Sequence, residues 1–96
     1  MTYKEWIADR KGTQILFSEL FGMRLKELRK EKDLTQNKVA EILQIPVSTY
    51  ANYEQGRRDI KIADLIDLMS IFDVEPNEMF DDDAFIRLAK NENNGD

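Results

Sequence analysis

Residues 47–58, VSTYANYEQGRR, carry the side chains with the clearest capacity for specific recognition. Tyr50 and Tyr53 are three residues apart, so on a helix they share one face. The other face is small and uncharged, and it carries Val47, Ser48, Ala51 and Asn52. Short side chains allow close approach to another surface, and hydroxyl and amide groups can exchange hydrogen bonds with it. Arg57 and Arg58 follow at the end of this stretch, where they can attract an anionic partner.

Residues that usually support catalysis are missing from the chain. Its 96 residues include no histidine and no cysteine, which removes the commonest general base, the commonest zinc ligand and all thiolate chemistry. Three aspartates occupy positions 81–83, but the glycine and the downstream glutamate of a calcium-binding loop are absent. The other carboxylates show no metal-ligand spacing. We therefore expect no enzymatic activity, no metal and no cofactor.

The composition is that of one small intracellular domain. Hydrophobic residues make up 42% of the chain and charged residues 34%, as in soluble globular proteins. No apolar run is long enough to cross a bilayer, and the N-terminal sequence MTYKEWIADRK lacks the layout of a signal peptide. We therefore expect a cytoplasmic protein without a membrane contact.

The net charge of −5 is distributed unevenly. Residues 21–61 contain nine Lys and Arg against six Asp and Glu, whereas residues 62–96 contain two against ten. The middle of the chain can therefore attract an anionic partner although the whole chain is acidic. Screening by salt keeps the contribution of this local charge modest.

Apolar residues repeat at helical spacing along most of the chain, which predicts an all-α domain of five short helices. The predicted helices cover residues 23–32, 36–43, 46–55, 62–72 and 76–80. Thr35 can cap the second helix, Pro46 suits the first turn of the third, and Gly56 can end the third in the left-handed conformation. The predicted inward-facing residues are Leu25, Leu28, Val39, Ala40, Ile42, Leu43, Tyr50, Tyr53, Ile62, Leu65, Ile66, Met69 and Phe72.

The second and third predicted helices are separated by only a few residues, which is the layout of a helix-turn-helix unit. Ala40 lacks the side chain that would hold these two helices apart. A helix that enters the major groove of DNA needs an outer face like that of residues 47–52, because hydroxyl and amide groups there read base edges. The alternative is that this face is only the polar side of an ordinary amphipathic helix.

The whole array resembles the lambda-repressor-like, Cro/XRE-type helix-turn-helix family of phage and bacterial regulators. The matching stretches are RLKELRKEK at 24–32, LTQNKVAEIL at 34–43, STYANYEQGRR at 48–58, IADLIDLMSIFDV at 62–74 and PNEMF at 76–80. The resemblance implies a five-helix DNA-binding domain over residues 21–81. Outside it we predict a helical N-terminal extension at residues 1–20 and an acidic tail at residues 82–96, with one short helical turn followed by disorder.

The resemblance implies two groups of DNA contacts. Base-edge contacts fall to Val47, Ser48, Ala51 and Asn52, and an Asn amide can pair with adenine. Phosphate contacts fall to Thr35, Gln36, Gln55, Arg57 and Arg58, and family members commonly use backbone N–H groups as well as cations in the turn after the third helix. Helix capping is the alternative role for Ser48, and a solvated surface turn is the alternative for the arginines.

The resemblance also implies a structural ion pair between Arg29 and Glu54, which ties the first helix to the recognition helix at residues 46–55. The chain departs from the family at Gln44, where glycine is common, and at Asp59, whose charge would repel phosphate. The recognition helix itself carries no Lys or Arg. We therefore expect weak, salt-sensitive binding.

Together these features predict a sequence-specific DNA-binding transcriptional regulator. We expect a repressor that binds pseudo-palindromic, double-stranded operator DNA as a homodimer. The apolar extension, with Tyr3, Trp6 and Ile7, is interpreted as an addition to the core, a dimer contact or a site for a protein partner. An antitoxin-like or other protein-interaction module with the same fold is the alternative, which the acidic balance of the chain keeps open.

Overall fold

The structure is a computed structural model that describes residues 14–94. The helices in this range are α1 (Gln14–Glu31), α2 (Gln36–Leu43), α3 (Val47–Glu54), α4 (Ile62–Phe72), α5 (Pro76–Met79) and α6 (Asp82–Asn94). No strand occurs in this range, and none of its helices is long and apolar enough to cross a membrane. The all-α prediction is confirmed, since α1 to α5 correspond to the five predicted helices.

The first helix begins earlier than predicted. α1 contains 18 residues, so it joins the end of the predicted extension to the predicted domain without a break at residues 20–21. Leu20, Leu25 and Leu28 are all buried along it, which means that burial continues through the predicted boundary. The extension residues Tyr3, Trp6 and Ile7 lie outside the described residues.

The acidic C-terminal segment also differs from its prediction, because it forms a helix instead of one short turn. α6 has 13 residues, and it begins where the Asp81 carboxylate accepts a hydrogen bond of 3.0 Å from the Asp83 N–H. Arg87 then donates hydrogen bonds of 2.7 and 3.0 Å to Glu27 of α1. The buried residue Ala84 adds an apolar contact. Packing on α1 therefore stabilises a segment whose composition alone suggests disorder.

Four helices are followed by one residue with positive φ, which allows the last carbonyl groups to be paired. These residues are Asp33, Gln44, Gly56 and Asp73, with φ of 56°, 59°, 71° and 55°. The left-handed conformation predicted for Gly56 is confirmed. At Gln44 this conformation costs on the order of 1 kcal/mol, because its side chain has a Cβ.

The starts of α2 and α3 agree with the prediction, except that α3 begins one residue later than predicted. The Thr35 hydroxyl accepts a hydrogen bond of 3.0 Å from the Lys38 N–H, which confirms the predicted cap of α2. Pro46 has φ −60° and ψ 144°, so it precedes α3 in an extended conformation instead of forming its first turn. Its carbonyl oxygen accepts the N–H groups of Thr49 and Tyr50 at 3.0 and 3.3 Å.

The core lies between α1, α2, α3, α4 and α5. Its largest fully buried side chains are Tyr50, Phe72, Leu25, Leu68, Met79 and Val39. Ala40 is 2% exposed, as expected for a small residue where α2 approaches its neighbours. Beside this core, the rings of Phe21 and Phe80 stack with centroids 5.4 Å apart.

Three residues predicted to face inward are instead exposed to solvent. Ile42 is 48% exposed, Ile62 75% and Ile66 55%. α4 turns Leu68 and Asp64 towards the core, where the Tyr53 hydroxyl donates a hydrogen bond of 2.7 Å to the Asp64 carboxylate. For Ile62 and Ile66 the prediction was wrong because α4 has apolar residues on two sides, and a helical period does not reveal which side meets the core. Ile42 lies on the side of α2 that is turned away from the buried residues Val39, Ala40 and Leu43.

Candidate nucleic-acid interface

α3 presents its predicted contact residues on the side away from the core. On the inner side, Tyr50 and Tyr53 are buried, and their rings meet edge to face at 6.5 Å. The outer side carries the exposed residues Val47 and Ser48 and the partly exposed residues Ala51 and Asn52. The structure therefore brings the four predicted base-edge residues together on one outward surface.

The side-chain hydrogen-bonding groups of Ser48 and Asn52 have no partner in the part of the chain that the structure describes. Ser48 is the second residue of α3, and no side chain caps this end of the helix. The structure therefore does not give Ser48 the alternative role of a helix cap. Within residues 14–94, neither the Ser48 hydroxyl nor the Asn52 amide has a hydrogen-bond partner. Both groups can bind an external partner without breaking an internal bond.

Gln55, Arg57 and Arg58 are exposed in the turn that follows α3. The backbone N–H groups of residues 55–57 donate to carbonyl groups of α3 at 3.1, 3.2 and 3.0 Å. These three donors are already used, so any backbone contact of this turn with phosphate would have to come from residues other than 55–57. The two guanidinium groups form no ion pair with any described residue. Anion binding by residues 55–57 must therefore depend on side chains.

Thr35 and Gln36 lie at the start of α2, where helix N–H groups favour anions. The Thr35 oxygen accepts the cap hydrogen bond, and its hydroxyl hydrogen remains available for donation. The Gln36 amide donates to Glu54 Oε1 at 2.9 Å. Because an amide nitrogen carries two hydrogens, Gln36 can support Glu54 and still donate to an anion.

Arg29 and Glu54 form a buried ion pair behind α3. Arg29 Nε donates to Glu54 Oε2 at 2.6 Å, and Arg29 Nη2 donates to Glu54 Oε1 at 3.2 Å. The residues are only 9% and 6% exposed. Arg29 Nη1 also donates to the Leu34 carbonyl at 2.8 Å. Together with Gln36, the pair connects α1, the turn after it, α2 and α3.

The charge states of Arg29, Glu54 and Tyr50 follow from their burial and from their neighbours. Burial acts to raise the pKa of Glu54, but the Arg29 guanidinium, with smaller contributions from Tyr50 and Gln36, outweighs burial and holds that pKa below its ordinary value of 4.5. The hydrogen bond to Glu54 raises the pKa of Arg29. Burial raises the pKa of Tyr50, whose hydroxyl has no hydrogen-bond partner in the described part of the chain. At neutral pH the ion pair is charged and the tyrosine is neutral.

Gly22 is a functional position that the sequence interpretation missed. α1 passes α3 so closely that a Cβ at residue 22 would lie 2.2 Å from the Glu54 carbonyl oxygen. Glycine therefore sets the distance between α1 and α3. The signal in the sequence is a glycine inside a helical pattern, which costs about 1 kcal/mol relative to alanine and so suggests a packing reason.

Two helices joined by a short turn, the second with a free outer surface and cations at its end, define a helix-turn-helix protein. Residues 25–79 match the helix-turn-helix family HTH_3, and the chain belongs to this family. The resemblance to Cro/XRE-type regulators is thereby confirmed.

Two named regulatory proteins are similar to this chain in sequence. The uncharacterized HTH-type transcriptional regulator YqaE of Bacillus subtilis (strain 168) is 38% identical over 74 residues, which cover 68% of this chain and 64% of that regulator. Control protein C.MunI of Mycoplasma sp is 33% identical over 63 residues, which cover 65% of this chain and 85% of that protein. The chain thus spans less than two thirds of the YqaE regulator.

A solved structure supports the same relationship. The crystal structure of the restriction-modification controller protein C.AhdI from Aeromonas hydrophila is similar to this chain with a TM-score of 0.63 at 32% sequence identity. The match covers 68% of this chain and 98% of that chain.

Proposed function

We propose that the protein is a sequence-specific DNA-binding transcriptional regulator that places α3 in the major groove. The observation that carries the proposal is the difference between the inner and outer side chains of α3. Its inner side chains are buried in the core, and its outer hydroxyl and amide groups have no partner within the described residues. The names of the relatives, a transcriptional regulator and two controller proteins, support the same class of function.

The outward residues of α3 fit the edges of base pairs. An Asn52 amide can pair with N6 and N7 of adenine, and the 42%-exposed Val47 side chain can pack on a thymine methyl group. Ser48 can donate or accept at a neighbouring base, and the small Ala51 side chain permits close approach. We assign sequence readout to these four residues.

The flanking residues fit phosphate groups. α3 itself carries no Lys or Arg, so the attraction to the DNA backbone must come from the turns at its two sides. We assign phosphate contacts to Gln55, Arg57 and Arg58 after α3, and to Thr35 and Gln36 at the start of α2. Because few cations take part, affinity should be modest, and it should fall with salt along a shallow slope, since that slope grows with the number of phosphates neutralised.

We further propose that the regulator binds as a homodimer on a pseudo-palindromic operator. Three residues separate α4 from the phosphate-contacting turn, and Ile62 and Ile66 lie one helical turn apart on it with 75% and 55% exposure. An exposed apolar pair of this kind favours contact with a second copy. An interface there would connect the two DNA-contacting surfaces through short, rigid segments.

Binding to random-sequence DNA tests the proposal. The protein should enrich one sequence class from a pool of random duplexes in the presence of non-specific competitor. Asn52→Ala should weaken binding to the enriched duplex by about 5- to 150-fold, which corresponds to the ~1–3 kcal/mol of one bidentate base contact. The preference at one base pair should relax at the same time. Asn77→Ala removes an exposed amide from α5 and should bind like the wild type.

Two results would count against the proposal in different ways. If no sequence is enriched at any salt concentration, the DNA-binding function is rejected, and a protein partner becomes the expected ligand. If a sequence is enriched but Asn52→Ala binds it normally, the regulator stands and the assignment of Asn52 is wrong.

A further inference from the structure

A carboxylate lies beside the turn that follows α3. α1 passes this turn so closely that a Cβ at Gly56 would lie 2.7 Å from the Cα of Glu19 and 2.9 Å from the carbonyl carbon of Ser18. Contact between the two backbones therefore fixes residue 19 next to residue 56, whichever rotamer the Glu19 side chain adopts.

Glu19 and Arg57 line the same open cleft, which has a volume of about 600 Å³. α1 contributes Glu19 and Met23 to this cleft, the turn contributes Gln55, Gly56 and Arg57, and α3 contributes Glu54, whose charge is paired with Arg29. Neither charge is neutralised, because within residues 14–94 Glu19 and Arg57 form no ion pair with each other or with another group. An anion held by Arg57 would therefore enter a cleft that already carries a negative charge.

We propose that Glu19 weakens the phosphate contacts of this turn and so reduces the part of DNA affinity that is independent of sequence. The inference rests on the DNA-binding function proposed above. A phosphate at Arg57 is repelled by the Glu19 carboxylate in the same cleft. The repulsion acts on phosphates of any sequence, whereas the base contacts of α3 are unaffected. The affinity for any DNA sequence therefore depends less on phosphate contacts and more on the contacts of α3 with bases.

Glu19→Gln removes this charge while preserving the size of the side chain. The probes are the duplex enriched by the protein and a mixed-sequence duplex of the same length. Both should bind more tightly to the variant, by about two- to five-fold at low salt, which is the effect of one screened surface charge interaction. The gain should fade with salt, because the Debye length falls from about 10 Å at 0.1 M to about 3 Å at 1 M.

Glu31→Gln is the matched control. It makes the same change in net charge at an exposed position near the other end of α1, so it should alter affinity much less. In an Arg57→Gln background the gain from Glu19→Gln should shrink, because the phosphate is no longer held beside residue 19. Thermal unfolding should be unchanged in Glu19→Gln, since the side chain has no hydrogen-bond partner among the described residues.

The outcomes separate this inference from the function on which it rests. Equal or weaker binding by Glu19→Gln, an equal gain from Glu31→Gln, or full additivity with Arg57→Gln would each overturn the role of Glu19. If the wild type prefers its enriched duplex and Glu19→Gln changes nothing, only this inference fails. If the wild type binds neither duplex, the proposed function fails with it.

Discussion

At the scale of single residues, the buried Glu54 carboxylate helps to fix the orientation of α3. It accepts hydrogen bonds from Arg29 and Gln36, and it lies on the side of α3 that faces the core. A buried charge that loses its partner keeps its desolvation penalty. Removing one member of the pair should therefore cost more stability than replacing both. The orientation of α3 therefore depends on Arg29 and Glu54, which are not proposed to contact bases.

Glu54→Ala should lower the free energy of unfolding by about 3–5 kcal/mol, because it leaves the Arg29 guanidinium buried without its partner. The double variant Arg29→Met with Glu54→Met should lose much less, since no unpaired charge remains. Urea unfolding followed by circular dichroism measures both changes. A double variant as unstable as the sum of its single variants would contradict this explanation.

The pH dependence of stability follows from the lowered pKa of Glu54. Since this pKa is lower in the folded state than its ordinary value of 4.5, the unfolded chain binds more protons on acidification. The stabilisation is therefore complete above pH 4.5 and is lost as the pH falls through the lower folded value. Glu54→Gln should make unfolding free energy less dependent on pH in this acid range.

Glu27→Gln is the comparison for this measurement. Hydrogen bonds from Arg87, and then from Arg24, lower the pKa of Glu27 in spite of partial burial, so it acts in the same direction. Because Glu27 is more exposed than Glu54, its effect should be smaller. A Glu54→Gln profile parallel to that of the wild type would show that Glu54 does not supply the acid dependence.

At the scale of helices, the contact between α1 and α3 determines the position of the recognition helix. Gly22 allows the two backbones to meet, and Arg29 holds Glu54 further along the same helix. The two contacts attach α3 at its C-terminal end and leave its outer surface free. Short outward side chains can read bases only if the helix that carries them is held rigidly.

Gly22→Ala should destabilise the protein by about 1–3 kcal/mol, because the added methyl group forces α1 and α3 apart. Alanine favours an isolated helix by about 1 kcal/mol over glycine, so helix propensity predicts the opposite sign. The variant should also bind the enriched duplex less well, since α3 shifts relative to α2. Unfolding and duplex titrations measure the two effects. A variant as stable as the wild type would show that α1 can move without loss.

At the scale of the whole molecule, charge is divided between two regions. The proposed DNA contacts lie between Thr35 and Arg58, whereas residues 62–96, which include α4 to α6, carry ten acidic residues against two basic ones. An approaching DNA duplex is therefore attracted by the first region and repelled by the second. This division favours docking through α3 and limits sequence-independent adhesion.

The proposed dimer gives a test at the same scale. Ile66→Lys should raise the monomer fraction in sedimentation, because it places a charge in the apolar contact on α4. It should also weaken binding to a two-half-site duplex more than binding to a single half-site. Ile86→Lys changes an isoleucine on α6 with nearly the same exposure, 54% against 55%, and should leave both properties unchanged. Equal effects of the two variants would place the interface elsewhere.

The amino-acid sequence determined the features that depend on near neighbours in the chain. The cap at Thr35, the left-handed residues Gln44 and Gly56, and the start and end of α2 all follow from local hydrogen bonds and φ preferences. The outward set on α3 also follows locally, because the tyrosines at positions 50 and 53 fix which side of a short helix is inward.

The features that depend on distant parts of the chain follow from tertiary packing. α6 is stabilised by the contact of Arg87 with Glu27, and α4 is oriented by the contact of Asp64 with Tyr53. The composition of α6 and the two apolar sides of α4 do not specify these partners. Gly22 likewise shows its role only against the Glu54 carbonyl. A local sequence pattern indicates which residues a segment can bury or use for binding. The packing of segments that are remote in sequence determines which of these residues are buried.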